Sequence, residues 1–180
     1  MTFRQILTDH PKGKDYGWIL KDAPMFPLLK DDKGEVMSMA PIINSATLGA
    51  VKVGDADLLV EMTGTDMTSL LLSTNIVACD FADAGYTILP CKVEHPYDTG
   101  YGKTIVAPYY FQSPTTASLK AINKLLGSNL SVSDVCTALE KMGNDVTVSD
   151  EKTDNPVFCV APAPYRNDFL HEVDVIEDVM

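Results

Sequence analysis

The chain has 180 residues, with 14 Lys and Arg against 25 Asp and Glu, a net charge of −11 and a pI near 4.5. Hydrophobic residues make up 46 % and aromatics 8 %, which excludes a disordered chain, and the length allows one domain or two small ones with a sizeable core. A chain this acidic repels a phosphate backbone at long range, so contact with nucleic acid requires a local basic patch or a positively charged partner.

Residues 1–65 read as strands and loops. Lys12-Gly13-Lys14-Asp15 is expected as a turn into the apolar Trp18-Ile19-Leu20. Pro24 and Pro27 bracket Met25-Phe26 and forbid helix there. Asp31-Asp32-Lys33-Gly34 is a hairpin turn between residues 26–29 and 36–39. Residues 56–62 alternate as a strand, with Leu58 and Val60 on one face. Thr63-Gly64-Thr65-Asp66 turns the chain, and Asp66 caps a helix over 67–84. Residues 86–93 read as another strand. A Pro/Gly/Tyr-rich stretch, 95–102, leads into Thr104-Ile105-Val106.

Composition shifts at 107–114, and the pattern beyond is helical. Ser113 or Thr115 caps a helix over 116–126 with Leu119, Ile122, Leu125 and Leu126 as its stripe, ended by Gly127. Ser131-Val132-Ser133-Asp134 opens a second helix to Met142, stopped by Gly143. Short strands follow at 145–149 and 157–160, and a last helix begins near Leu170. Two helices followed by a hairpin make a winged-helix-like arrangement. The expected class is α+β, mixed strands over 1–107 and then a small winged-helix-like domain over 108–180.

No run of about 18 apolar residues exists, so no membrane span is expected. Met1-Thr2-Phe3-Arg4-Gln5 lacks a signal-peptide core, which reads as a cytoplasmic chain. Cys79, Cys91, Cys136 and Cys159 form no Cys-x-x-Cys and no zinc spacing, and are expected as reduced, buried thiols.

Two groups of residues carry chemistry. Asp174, Glu177 and Asp178 occupy i, i+3 and i+4 on one helix face, with Asp168 just before it. Hard oxygen ligands without thiolate or paired imidazole suit Mg²⁺ better than Zn²⁺. The alternative is a solvated acidic face favoured by the helix dipole, with Arg166 pairing a carboxylate and His171 a surface residue. The second group is Pro41-Ile42-Ile43-Asn44-Ser45 with Glu61-Met62-Thr63-Gly64-Thr65-Asp66. Glu61 is placed to accept a ligand hydroxyl, with Ser45 and Thr63 as donors. Turn and cap chemistry is the alternative there. No Ser-His-Asp order, no Cys-His pair and no phosphate-loop or dinucleotide motif is present.

The segments His10-Pro11-Lys12-Gly13-Lys14-Asp15-Tyr16-Gly17-Trp18-Ile19-Leu20, Pro27-Leu28, Val36-Met37-Ser38-Met39-Ala40-Pro41-Ile42-Ile43-Asn44-Ser45 and Glu61-Met62-Thr63-Gly64-Thr65-Asp66 form an ordered set. It continues with Ile122-Asn123-Lys124-Leu125-Leu126-Gly127 and Pro164-Tyr165-Arg166-Asn167-Asp168-Phe169-Leu170-His171-Glu172-Val173-Asp174-Val175-Ile176-Glu177-Asp178-Val179. Together they resemble the β subunit of phenylalanyl-tRNA synthetases, in its archaeal/eukaryotic-like form. Order and spacing cover almost the whole chain. Ala40 stands where the family usually has a second Pro, Met37 where it often has Leu, and residues 86–112 match weakly.

The resemblance implies that residues 1–107 are the later half of a tRNA-editing domain and 108–180 the adjoining fifth module. The chain then reads as an excised piece of a longer subunit. The implied chemistry is hydrolysis of tyrosine mischarged on the phenylalanine tRNA. Glu61 would read the tyrosyl hydroxyl, and Thr63 and Ser45 would hold the ester or a water. Met37 and Asn44 would line the substrate pocket. Asp168, Asp174, Glu177 and Asp178 match positions associated with Mg²⁺, shared with an α subunit in a heterotetramer of two α and two β chains. Weak or no Mg²⁺ is expected in the isolated chain. ATP-dependent phenylalanylation and tRNA binding belong to the full enzyme, because no class II ATP motif occurs here. A free-standing deacylase and a non-catalytic winged-helix module are the competing readings. Residues 113–180 carry Lys120, Lys124, Lys141, Lys152 and Arg166 against many more acids. No DNA contact is therefore expected, and an interface role for that half is preferred.

Overall fold

Thr2 opens the first helix through a capping box. Its hydroxyl accepts from Gln5 N at 3.3 Å, and Gln5 Oε1 accepts from Thr2 N at 2.8 Å. The helix, α1, runs Phe3–Asp9. His10 then caps α2 (Pro11–Tyr16), its Nδ1 accepting from Lys12 N at 3.1 Å. Pro11 takes the first helical position, where an N–H has no intrahelical partner anyway. A 3₁₀ turn, Gly17–Ile19, follows. These helices correct the expected strands and loops, and Lys12-Gly13-Lys14-Asp15 is helical rather than a turn. Gly13 marks the reason: a Cβ there would lie 1.8 Å from Ile6 O, so only glycine lets the two helices pack this closely.

The computed structural model describes residues 1–149 and 153–180. Lys152, one of the basic residues counted above, and the start of the polar turn after residue 149 lie outside the described residues. The chain divides into two units, residues 1–63 and 64–180. The expected boundary at 107/108 falls inside the second.

In the first unit β1 (Leu28–Lys30), β2 (Val36–Met39) and β3 (Ile43–Asn44) form an antiparallel sheet in that order. The hairpin turn is where expected. Asp31 Oδ1 accepts from Lys33 N at 3.0 Å and Glu35 N at 2.8 Å, and Gly34 takes φ +85°. Leu20, Met39 and Ile42 are buried, with Ile6, Leu7, Phe26 and Leu28 packed on them. Residues 56–62 form no strand among the described residues. Leu58, Leu59 and Val60 are exposed, because alternation without a pairing neighbour leaves the backbone no ladder to join.

In the second unit α3 (Met67–Asp83) is capped as expected, Asp66 Oδ1 accepting from Ser69 N at 2.8 Å. Buried Asn75 donates Nδ2–H to Tyr109 O at 2.9 Å and accepts from Tyr109 N at 3.1 Å. The hairpin β4 (Cys91–Thr99) and β5 (Gly102–Ala107) replaces the strand expected at 86–93. Tyr86 N instead donates to Phe81 O, closing α3, and Pro90 lacks an N–H for a ladder.

The last segment runs β6 (Thr115–Ser118), α4 (Leu119–Leu126), α5 (Val132–Lys141), β7 (Asp145–Ser149), β8 (Val157–Ala161) and α6 (Glu172–Val179). Its sheet order is β6-β8-β7, all antiparallel, which gives the winged-helix-like arrangement. Thr115–Ser118 pair with β8 rather than begin the helix, and Ser118 is the cap, its Oγ accepting from Ala121 N at 3.3 Å. Ser131 and Asp134 form a capping box at the expected start of α5, and Gly143 (φ +83°) follows its end. Ala117, Ile122, Val135, Leu139, Phe158, Val160, Phe169, Val175, Ile176 and Val179 make one core. No disulfide forms among the described residues, but Cys91 is exposed and Cys79, Cys136 and Cys159 are only part-buried. The exposed Cys91 corrects the expectation of four buried thiols.

Candidate functional site

Two places hold the residues singled out above. The first lies on the β2–β3 sheet. Leu29 pairs with Ser38 and Lys30 with Val36, so Met37 is the extra residue of a bulge. Bulges re-aim neighbouring side chains and are frequent beside binding sites. Ser38 is buried, and its Oγ donates to Glu61 Oε2 at 2.7 Å. Glu61 itself is exposed, and Oε1 has no partner among the described residues. Asn44 lies directly across the ladder from Ser38, on the same sheet face.

Ser45 N donates to Met37 O at 2.8 Å, fixing the residue to the bulge. Ser45 Oγ accepts from Leu48 N at 3.2 Å and Gly49 N at 3.1 Å. Both lone pairs are thus used and its proton stays free to donate. Gly49 is required for this loop: a Cβ would sit 2.2 Å from Met37 O and 2.8 Å from Asn44 Cβ. Met37, Asn44 and Ser45 are therefore gathered on one stretch of sheet and its following loop, and Glu61 is tied to it through Ser38. Thr63 is exposed and makes no side-chain hydrogen bond among the described residues.

Sequence reasoning missed Ser38, which orients Glu61, and a neighbouring cleft of about 520 Å³. The cleft is lined by His10, Lys12, Tyr16, Pro41, Ile42, Ile43 and Asn44. The signal was available: His10-Pro11-Lys12 reads as a cap followed by proline at the first helical position. Asn44 belongs to both places.

The second place is the acidic cluster. Arg166 donates Nε–H to Asp168 Oδ1 at 3.0 Å and Nη2–H to Asp168 Oδ2 at 2.8 Å, a bidentate pair. Its Nη1 donates to Asp178 Oδ2, which also accepts from Asn144 Nδ2 at 2.7 Å. The Asp178 side chain is only 5 % exposed. The Arg166 guanidinium stacks over Phe169, 4.7 Å from the ring centroid. Bonds to Asp168 and then Asp178 hold the guanidinium further up than usual, and Arg166 holds the Asp168 carboxyl below the usual range.

Asp174 Oδ2 accepts from Leu170 N at 2.7 Å and His171 N at 2.6 Å, so it satisfies the start of α6. Glu177 is exposed on the helix. Among the described residues no three His, Cys, Asp or Glu side chains come together to hold a metal ion. An arginine already sits between two of the four carboxylates and backbone N–H groups take the third. The donor set does not fit Mg²⁺, which needs free oxygens in near-octahedral array.

With this geometry in view, residues 115–180 match the family described as the tRNA synthetase B5 domain. Relatives carry the comparison across the whole chain. The phenylalanine–tRNA ligase β subunit of Borrelia duttonii is 47 % identical over 180 residues, all of this chain and 31 % of that protein. That of Treponema pallidum is 46 % identical over 176 residues, 98 % of this chain and 28 % of that protein. The crystal structure of an N-terminal fragment of the phenylalanyl-tRNA synthetase β subunit from Pyrococcus horikoshii superposes with a TM-score of 0.76 at 29 % identity, over 99 % of this chain and 49 % of that one. The chain is thus similar along its whole length to part of the phenylalanine–tRNA ligase β subunits of these organisms. It spans about a third of the length of the curated relatives it matches.

Proposed function

We propose that this chain forms part of a phenylalanine–tRNA ligase β subunit and supplies the hydrolytic site that removes tyrosine from the phenylalanine tRNA. The observation that carries the reading is the Ser38–Glu61 bond. It fixes one carboxylate oxygen and leaves the other to accept a phenolic hydroxyl. Tyrosine exceeds phenylalanine by that hydroxyl, and an apolar synthetic pocket rejects an added hydroxyl only about a hundredfold. A second site must bind the hydroxyl itself. Ser45, with its lone pairs occupied and its proton free, donates to the ester carbonyl. A positioned water attacks that carbon, the bond to the ribose oxygen breaks, and the water's proton ends on the ribose hydroxyl. Thr63 serves as a further donor and Met37 as apolar lining. The test is release of tyrosine from Tyr-tRNA by the complete subunit with its α partner, native against Glu61→Ala.

On this reading residues 1–107 are the later half of the editing domain and 108–180 the fifth module. ATP-dependent phenylalanylation, in a cytoplasmic enzyme of two α and two β chains, belongs to the assembly. The relatives named above are bacterial, which does not support the archaeal/eukaryotic-like form. Any Mg²⁺ is a property of the complex with the α subunit, since three of the four carboxylates here are held by Arg166 and backbone N–H groups. DNA is disfavoured as a partner: α5, second of the two helices of the winged-helix-like segment, carries exposed Asp134 and Glu140 with Lys141 its only cation. No helix of the described residues is long and apolar enough to cross a membrane.

A further inference from the structure

The cleft that shares Asn44 with the Ser38–Glu61 site has a chemistry of its own. Lys12 has no acidic partner within ion-pair distance among the described residues, and its ammonium lies 5.6 Å from the Tyr16 ring centroid. His10 Nδ1 accepts the Lys12 backbone N–H, so neutral His10 carries its proton on Nε2 and offers a donor. Pro41, Ile42 and Ile43 give an apolar floor. Charge is uneven along the chain: residues 1–63 hold seven Lys and Arg against nine Asp and Glu, and residues 64–180 hold seven against sixteen. An anion is repelled far less here than elsewhere on the chain.

An unpaired ammonium, an exposed aromatic ring, an imidazole donor and an amide around an apolar floor suit a planar base carrying a phosphate. Asn44 joins this cleft to the sheet face that bears Ser38 and Glu61. We propose that the cleft seats the terminal nucleotide of the aminoacylated RNA, with Lys12 on its 5′-phosphate and Tyr16 against its base, and that Asn44 marks the junction with the aminoacyl group. The inference rests on the editing reading, which supplies the ester joined to that nucleotide.

The test is an NMR titration of the 180-residue chain, following the His10 and Tyr16 ring resonances. The probes are adenosine 5′-monophosphate, adenosine, inorganic phosphate and tyrosine. Adenosine monophosphate is expected to shift both rings, and adenosine or phosphate alone to bind about tenfold more weakly. Lys12→Ala is expected to weaken nucleotide binding about tenfold, whereas Lys33→Ala, on the hairpin turn, leaves it unchanged. His10→Asn keeps an acceptor for the Lys12 N–H and so separates loss of the ring donor from loss of the helix cap. Rings unmoved by the nucleotide, equal binding by the Lys12 and Lys33 variants, or tyrosine shifting the rings as strongly as the nucleotide would overturn the proposal. Nucleotide still bound through Lys12 while deacylation ignores Glu61 removes the editing reading and keeps the cleft. The reverse result removes the cleft alone.

Discussion

Ser38 Oγ donates to Glu61 Oε2 at 2.7 Å, and among the described residues this is the only hydrogen bond tying residues 50–63 to the sheet. Glu61 is exposed, so water replaces the lost donor when Ser38 is truncated. Ser38→Ala is expected to change urea-unfolding stability by less than about 1 kcal/mol. Tyrosyl-ester hydrolysis by the complete enzyme should fall about tenfold, less than in Glu61→Ala, because the carboxylate remains but is no longer aimed.

Arg166 is the centre of the second cluster. Removing it strands Asp178, whose side chain is 5 % exposed, with Asn144 as its remaining donor. Arg166→Met is expected to cost about 3 kcal/mol in urea unfolding, and the double variant with Asp178→Leu less than the two changes added. Additive losses would show that the pair is not coupled.

Much of the winged-helix-like segment was legible in the sequence. Ser131 with Asp134 fixed the start of α5, Gly143 its end, and Asp66 the start of α3. These signals are local and survive without knowledge of the fold. The first unit was less legible. Gly13 among charged residues reads as a turn, yet it is helical because α1 lies too close to admit a Cβ, a tertiary fact. The Thr2–Gln5 box and Pro11 were signals passed over. Residues 56–62 failed as a strand because alternation shows which face would be buried, not whether a neighbour exists to pair. The spacing placed Asp174, Glu177 and Asp178 on one helix face, but side-chain partners divided them: one serves the helix start, one Arg166, and one solvent.

Low pH should act through three carboxyls. Arg166 holds Asp168 below the ordinary value of 3.8, and bonds from Ser69 and Ser131 do the same for Asp66 and Asp134. A depressed carboxyl contributes stability above its unfolded value and loses it as pH falls through the folded one. The urea midpoint is expected to be insensitive to these groups above about pH 5 and to fall below about pH 4. Carboxyl titration by NMR should return Asp168 toward 3.8 in Arg166→Met.

Because three of the four carboxylates near α6 already have partners, MgCl₂ is expected to leave the thermal midpoint of the isolated chain unchanged beyond general salt effects. Calorimetric titration should give no specific heat. Millimolar binding that disappears in Asp174→Ala would contradict the assignment of that carboxylate to Leu170 N and His171 N.

The central claim is that Glu61 reads the tyrosyl hydroxyl. The direct measurement is tyrosine release from Tyr-tRNA and phenylalanine release from Phe-tRNA by the complete β subunit with its α partner, for native protein and Glu61→Ala. The native enzyme is expected to deacylate Tyr-tRNA faster by about a hundredfold or more, and the variant to lose that preference. Equal rates of tyrosine release by the two proteins would contradict the account.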